Sequence, residues 1–196
     1  MLDTIFTDSP CSRANIEPYC DRVKQLVTPK RFEHILRVAS LAEAIARAND
    51  FSTGELRASV LAAVLHDAAR DLPVRELLEL APAQSEVERR HPLSVHGRAA
   101  RSLAERWGVN DERVLDAIEG HVFGVSRDNR VGMAVYIADV SEPGRGCNAE
   151  IRELAMKNLF RAYQRAVDTK VRYLKAKGKD VHPATLQVHR EICEFT

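Results

Sequence analysis

The stretch "VLHDAARDL", residues 64–72, lies at the end of a helix that the sequence predicts to be buried. The residues from Val60 to Leu65 form a continuous apolar run, and His66 and Asp67 interrupt it. A carboxylate in an apolar environment costs free energy unless it is paired or bound to a metal ion. The pair therefore predicts a polar site inside a helical core.

Helical periodicity extends outward from this stretch in both directions. Nearly every long segment repeats its apolar residues every three or four positions, and strict alternation is hard to find, so the chain is predicted to be all-α. Helix starts are predicted at Thr28-Pro29 and at Ser52, which precedes Glu55 by a capping-box spacing. One long or kinked helix is predicted over residues 149–177, with a short terminal helix after it.

Composition sets bounds on the class of protein. The 196 residues, 45% of them hydrophobic, suffice for one domain, predicted over 28–196 after an N-terminal extension with a short helix over 1–27. The 29 Lys and Arg nearly balance the 28 Asp and Glu, so we expect neither a nucleic-acid partner nor a membrane partner. Scattered cysteines, and the absence of a basic leader or an apolar run of about 20 residues, favour a cytoplasmic location.

Five polar positions lie beside or inside apolar helical stripes: His34, His66, Asp67, His121 and Asp139. Each has a simple structural alternative, because a helical histidine is often a hydrogen-bonded core residue and an aspartate often caps the next segment. Together they favour a metal site, since imidazole nitrogens and carboxylate oxygens that converge in a bundle suit iron, manganese or zinc. Consecutive helical residues diverge by about 100°, which leaves Asp67 a second oxygen that could bridge to another ion.

The chain resembles the HD-domain phosphohydrolases in the order of its histidines and aspartates. The matching segments are "RFEHILRVA" with His34, "VLHDAARDL" with His66 and Asp67, "SVHGRAA" with His96, "IEGHVFG" with His121 and "VYIADVSEPGR" with Asp139. Within that superfamily, "ADVSEPGR" and "VRYLKAKGKDVHPATLQVHR" are similar to the bacterial symmetrical bis(5'-nucleosyl)-tetraphosphatases of the YqeK type. The resemblance implies an HD-domain helical bundle, one or two bound iron ions, and hydrolysis of diadenosine tetraphosphate to two ADP by metal-activated water.

The resemblance also implies roles for individual residues. The expected metal ligands are His34, His66, Asp67, His96, His121 and Asp139. The expected catalytic residues are Asp67, Arg70 and His96, and the expected substrate-binding residues are Arg70, His96, His121, Arg145, Tyr173 and His182. Arg70 stands where the family usually has lysine, which keeps the charge but changes the geometry.

Two other functions are compatible with these residues. The chain could be another HD-type enzyme that acts on nucleoside monophosphates, deoxynucleotides or guanosine alarmones. It could also be a non-catalytic sensor that binds a nucleotide. In each case the partner is a small nucleotide, such as diadenosine tetraphosphate or the product ADP, and a homodimer is possible.

Overall fold

The computed structural model describes residues 13–193, and within that range it contains helices and no β-strand. The α-helices are α1 (Arg13–Leu26), α2 (Pro29–Ala48), α3 (Thr53–Leu65), α4 (Val74–Leu80), α5 (Glu86–Arg90), α6 (His96–Arg106), α7 (Glu112–Gly120), α8 (Arg130–Ser141), α9 (Ala149–Ala155), α10 (Leu159–Ala176) and α11 (Pro183–Cys193). Two short 3₁₀ helices cover Pro92–Val95 and Pro143–Arg145. The predicted all-α fold is confirmed.

Helices α3 and α8 form the centre of the bundle. Helix α3 contacts α1, α2, α7 and α8, and α8 also contacts α2, α7, α9 and α10. This position explains why both helices are apolar on nearly every side, because a helix with neighbours all round has no solvated face. Every residue from Ala62 to Leu65 in α3 and from Val131 to Ala138 in α8 is buried. The stretch "VLHDAARDL" therefore begins in the last residues of a central helix, Val64 and Leu65.

Side-chain caps start the helices where the sequence predicts them. Thr28 accepts a hydrogen bond from the Arg31 backbone N–H and precedes Pro29 in the first turn of α2. Ser52 and Glu55 form a complete capping box at the start of α3. Asp111 accepts from the Arg113 backbone N–H at the start of α7. The starts predicted at Thr28-Pro29 and at Ser52 are confirmed.

Two predicted features of the helices are wrong. Helix α3 ends at Leu65, so His66 and Asp67 lie in the turns that follow and not inside the helix. The helix predicted over 149–177 is two helices, α9 and α10, because Asn158 starts α10 by accepting from the Arg161 backbone N–H. Helix α5 was not predicted.

The predicted extension over residues 1–27 lies partly outside the described residues. From Ile16 onward, the apolar side chains of α1 are buried in the same core as the other helices. The division into an extension and a domain over 28–196 stays a prediction. Within residues 13–193, every helix is too short or too polar to cross a membrane.

Candidate metal centre

Three histidines of the predicted site occupy the same position at the ends of helices. His66 is the C-cap of α3, His121 is the C-cap of α7, and His96 is the C-cap of the 3₁₀ helix Pro92–Val95. Each ring hydrogen-bonds through Nδ1 to the carbonyl three residues earlier, at 2.7 Å for His66 and 2.6 Å for the other two. Because a carbonyl only accepts, each Nδ1 donates. Each Nε2, on the opposite edge of the ring, is left with a lone pair that can bind a metal ion.

His34 reaches the same place from the middle of α2. Its Nδ1 lies 3.0 Å from Glu142 Oε1, and Arg37 Nε donates to the other oxygen of Glu142 at 2.7 Å. Its Nε2 lies 3.1 Å from Asp139 Oδ1. Burial lowers the pKa of His34, but the hydrogen bonds with Asp139 and Glu142 outweigh burial, so the pKa is raised above its ordinary value.

The first group of ligand atoms comes from His34, His66, Asp67 and Asp139. His34 Nε2 lies 3.9 Å from Asp67 Oδ2, and His66 Nε2 lies 3.7 Å from Asp67 Oδ2 and 3.8 Å from Asp139 Oδ1. Atoms bound about 2.0–2.2 Å from one ion are themselves about 3 to 4 Å apart. These separations suit one ion held by two histidines and two carboxylates.

The second group of ligand atoms uses the other oxygen of Asp67. His96 Nε2 lies 3.3 Å from Asp67 Oδ1, and His121 Nε2 lies 3.6 Å from it. Asp67 therefore stands between two sets of histidines and faces each with a separate oxygen. We name the six residues of both groups the histidine–aspartate cluster. They are His34, His66, Asp67, His96, His121 and Asp139.

Two features of the cluster fit a cation. His66 Nε2 is fully buried and has no hydrogen-bond partner in the described part of the chain. The Nε2 atoms of His96 and His121 lie 3.0 Å apart, although both rings donate from Nδ1, so in neutral rings two lone pairs face each other. A buried polar atom without a partner and two opposed lone pairs are both unfavourable in free energy. Divalent ions at the two groups of ligand atoms would satisfy all three nitrogens.

The charge state of the cluster is also suited to metal binding. Burial lowers the pKa of His66 to about 4, although Asp67 raises it, and burial lowers the pKa of His96. Burial raises the pKa of Asp67, but the neighbouring histidines His66, His121 and His96 outweigh burial and hold it well below its ordinary value. At pH 7 His66 and His96 are therefore neutral imidazoles and Asp67 is an ionised carboxylate, which are the forms that bind metals.

The HD domain family matches residues 31–144. This segment is more than half of the chain. It contains all six residues of the histidine–aspartate cluster, including His66 and Asp67. The chain belongs to the HD-domain family. The resemblance inferred from the order of histidines and aspartates is confirmed.

Three proteins illustrate what this chain is similar to. A Bacillus subtilis protein named symmetrical bis(5'-nucleosyl)-tetraphosphatase is 30% identical over 83% of this chain and 89% of its own length. A Mycoplasma genitalium protein named probable nicotinate-nucleotide adenylyltransferase/Ap4A hydrolase is 30% identical over 72% of this chain, which spans only 42% of that protein. The crystal structure of a predicted HD superfamily hydrolase involved in NAD metabolism, from Clostridium acetobutylicum, is 28% identical with a TM-score of 0.82, covering 92% of this chain and 97% of that one.

The other predicted site residues lie at different distances from the cluster of the HD domain. Arg145 donates to both the backbone carbonyl and Oδ1 of Asp139. Arg70 is half-buried, and its side chain has no hydrogen-bond or ion-pair partner among residues 13–193. His182 stacks on Phe123 with ring centroids 3.8 Å apart, at the wall of a cavity. Tyr173 is 55% exposed and is not among the residues that line this cavity. The roles of these residues in substrate binding stay predictions.

Two residues that hydrogen-bond to members of the cluster were not predicted from the sequence. Arg31 donates to Asp67 Oδ2 at 2.9 Å, and Glu142 holds His34 as described above. Both were detectable from helical spacing, because Arg31 precedes His34 by three residues and Glu142 follows Asp139 by three. Lys170, a half-buried cation that lines the cavity, was also not predicted.

Proposed function

We propose that this chain hydrolyses diadenosine tetraphosphate symmetrically to two ADP, using divalent metal held by the histidine–aspartate cluster. The observation that carries the proposal is the placement of Asp67, whose two oxygens face two separate sets of histidines at 3.3–3.9 Å. This arrangement is typical of a carboxylate that bridges two ions in a hydrolase. The names of the Bacillus subtilis and Mycoplasma genitalium relatives support the choice of substrate.

Each ion would have its own ligands. His34, His66, Asp139 and one oxygen of Asp67 would hold the first, and His96, His121 and the other oxygen of Asp67 would hold the second. We propose iron as the metal. Manganese and zinc are the alternatives, because imidazole and carboxylate ligands serve all three.

The residues around the cluster have separate tasks in the proposed reaction. When bound, divalent metal supplies a nucleophile from water at neutral pH and withdraws charge from phosphate oxygens. Asp67 would orient the attacking water, since its oxygens lie between the two ligand sets. Arg70, which has no partner among the described residues, and Arg145 would donate hydrogen bonds to phosphate oxygens, where a guanidinium binds in a bidentate manner. His96 would lie on the side of the cluster that receives the leaving nucleotide.

The position of attack follows from the product. The water oxygen forms a bond to the second phosphorus from one adenosine, and the bond from that phosphorus to the central bridging oxygen breaks. The second ADP leaves with the bridging oxygen on its terminal phosphate. ADP is a good leaving group, so the proposed reaction needs no residue that protonates it.

Product analysis tests this proposal. Protein purified without added metal is first analysed for its metal content, then supplied separately with Fe²⁺, Mn²⁺ or Zn²⁺ and incubated with diadenosine tetraphosphate. We expect ADP as the sole nucleotide product, and no turnover by an Asp67→Asn variant prepared in the same way. Formation of AMP and ATP would contradict symmetrical cleavage.

The same assay separates the alternatives. Deoxynucleoside monophosphates and guanosine alarmones are offered at equal concentrations, and faster turnover of either would favour another HD-type phosphohydrolase. Binding of ADP without turnover of any substrate would favour a nucleotide sensor. A cytoplasmic location and a homodimer stay predictions.

A further inference from the structure

A cavity of about 420 Å³ adjoins the histidine–aspartate cluster. Val122, which directly follows His121, and Ser94, which precedes His96 by two residues, both line it. The opposite wall comes from α10 and from the segment before α11. A volume of this size is within the range of pockets that hold small ligands, about 300–1,000 Å³. The cavity therefore has room for a nucleoside next to the cluster.

One wall of the cavity is flat and largely apolar. Phe123 and His182 stack with their ring planes only 15° apart, and Val122 and Leu174 extend the apolar surface. A base has two flat faces, and its stacking on an aromatic side chain is favourable whatever the base. The wall suits the base of a nucleotide.

Lys170 places a positive charge in the same cavity. Its ammonium group donates to the Val122 carbonyl and lies 5.4 Å from the centre of the Tyr136 ring. No carboxylate oxygen in residues 13–193 lies within ion-pair distance of the Lys170 ammonium group. Asp180, which also lines the cavity, is paired with Arg90 at 2.8 Å. An ammonium group has three donors, so two remain for a ligand.

The location of Lys170 relates the two regions of the site. Burial lowers the pKa of Lys170, and Asp139 of the cluster opposes that shift. Burial also lowers the pKa of His182, and Lys170 contributes to that shift less than burial does, so Lys170 interacts electrostatically with both ends of the site. Ser94 Oγ, also on the cavity wall, is buried and has no hydrogen-bond partner in the described residues. A cation and a free hydroxyl between an aromatic wall and a metal centre suit a ligand with a flat end and an anionic end.

We propose that Lys170 is a specificity-determining residue that binds a phosphate group of the nucleotide whose nucleoside occupies this cavity. The inference rests on the proposed function, because it takes the ligand to be a nucleoside diphosphate. Lys170 would distinguish a nucleotide from a nucleoside by binding the phosphate group. The wall that Phe123 forms would bind the base of either ligand.

Calorimetric titration of the metal-loaded protein with ADP and with adenosine tests the inference. We expect Lys170→Met to weaken ADP binding by about 10- to 100-fold, as for loss of a charge-assisted hydrogen bond, and to change adenosine binding by less than about twofold. Lys175→Met, an exposed lysine on the same helix, is the matched control and should leave both affinities unchanged. Phe123→Ala should weaken ADP and adenosine together, by about tenfold.

A second variant covers the case in which Lys170→Met does not fold. Lys170→Gln keeps a donor for the Val122 carbonyl but removes the charge, and it should also lose ADP affinity selectively. Unchanged ADP binding in either variant, or a parallel loss of ADP and adenosine, would overturn the role of Lys170. Unchanged binding in Phe123→Ala would overturn the placement of the nucleoside. The proposed function fails separately, if the wild-type protein does not convert diadenosine tetraphosphate to ADP.

Discussion

The histidine–aspartate cluster and the neighbouring cavity differ in how completely their polar groups are held. In the cluster, all four histidine rings are fixed through Nδ1 by a carbonyl or by Glu142, so their geometry is set before any ion binds. In the cavity, Ser94 Oγ has no partner in the described chain, and Lys170 has only a backbone carbonyl. The difference indicates a preorganised centre for chemistry beside a region whose polar groups are completed by a ligand.

Removing the charge of Asp67 should break the preorganised region most severely. In Asp67→Asn the side chain keeps one neutral amide oxygen, so only one of the two ligand sets can keep an oxygen ligand from residue 67, and neither keeps the carboxylate charge. We expect a loss of bound metal and a fall in turnover of at least about 1,000-fold, because the nucleophile depends on the ions. Metal analysis and the ADP assay measure both effects.

Asp168→Asn is the control for this variant. Asp168 is half-buried and pairs with His189 and Arg172, outside the cluster. It should retain wild-type metal content and turnover. An Asp67→Asn protein with near wild-type activity would show that the active site lies elsewhere.

A smaller effect is expected when the support of one ligand is loosened. Glu142→Gln would weaken the hold on His34 Nδ1 and on Arg37 without removing a ligand. Residues that orient metal ligands typically change metal affinity by about 10- to 100-fold when mutated. Titration with Mn²⁺ measures the change, and Glu43→Gln, a buried glutamate paired with Arg47 on the same α2, is the control. Equal Mn²⁺ affinities in the two variants would contradict the role of Glu142.

The pH dependence of metal binding sharpens the comparison further. Because its pKa is raised, His34 keeps its second ring proton at pH values where an ordinary histidine is neutral. A metal ion must displace that proton to bind. We expect the apparent affinity for Zn²⁺ to rise by up to about tenfold per pH unit while His34 remains protonated, and then to level off. Competition with a chelating dye between about pH 6 and pH 8 measures this. In Glu142→Gln the rise should end at a lower pH, and a flat wild-type profile would contradict the assignment.

The cluster could be predicted from the sequence because its residues interrupt apolar runs. His66 and Asp67 follow α3, and Asp139 lies in the last turn of α8. These two helices are the most apolar, so a polar residue in or directly after them is conspicuous. Their exact backbone setting could not be predicted. His66 and His121 end their helices without a glycine or proline directly after them, because the ring itself satisfies a free carbonyl. The pattern of apolar residues does not distinguish the last helical residue from the first residue of the turn.

The cavity could not be predicted in the same way. Lys170 lies on an amphipathic helix with four other basic residues, and periodicity alone gives no reason to separate it from solvated lysines. Its burial arises from Val122 and Phe123, 48 and 47 residues earlier in the chain, which pack against α10 only after folding. Pairing of Phe123 with His182 is equally non-local. Long-range contacts of this kind determine the ligand pocket, whereas local patterns determine the helices.

The smallest effect we predict is on stability, and it follows from leaving Lys170 without an acidic partner. Burial lowers the pKa of Lys170 from 10.5 to about 8, so keeping it protonated destabilises the fold below pH 8, and this penalty disappears as the pH rises toward 10.5. Lys170→Met should therefore raise the free energy of unfolding at pH 7 by on the order of 1 kcal/mol, while it weakens ADP binding. Urea unfolding at pH 7 and at pH 10 measures the gain and its loss, and the exposed Lys175→Met should change neither. A gain in stability with a loss of ligand affinity would show that the charge is retained for binding, and a Lys170→Met protein less stable at pH 7 would assign Lys170 to the packing of the fold.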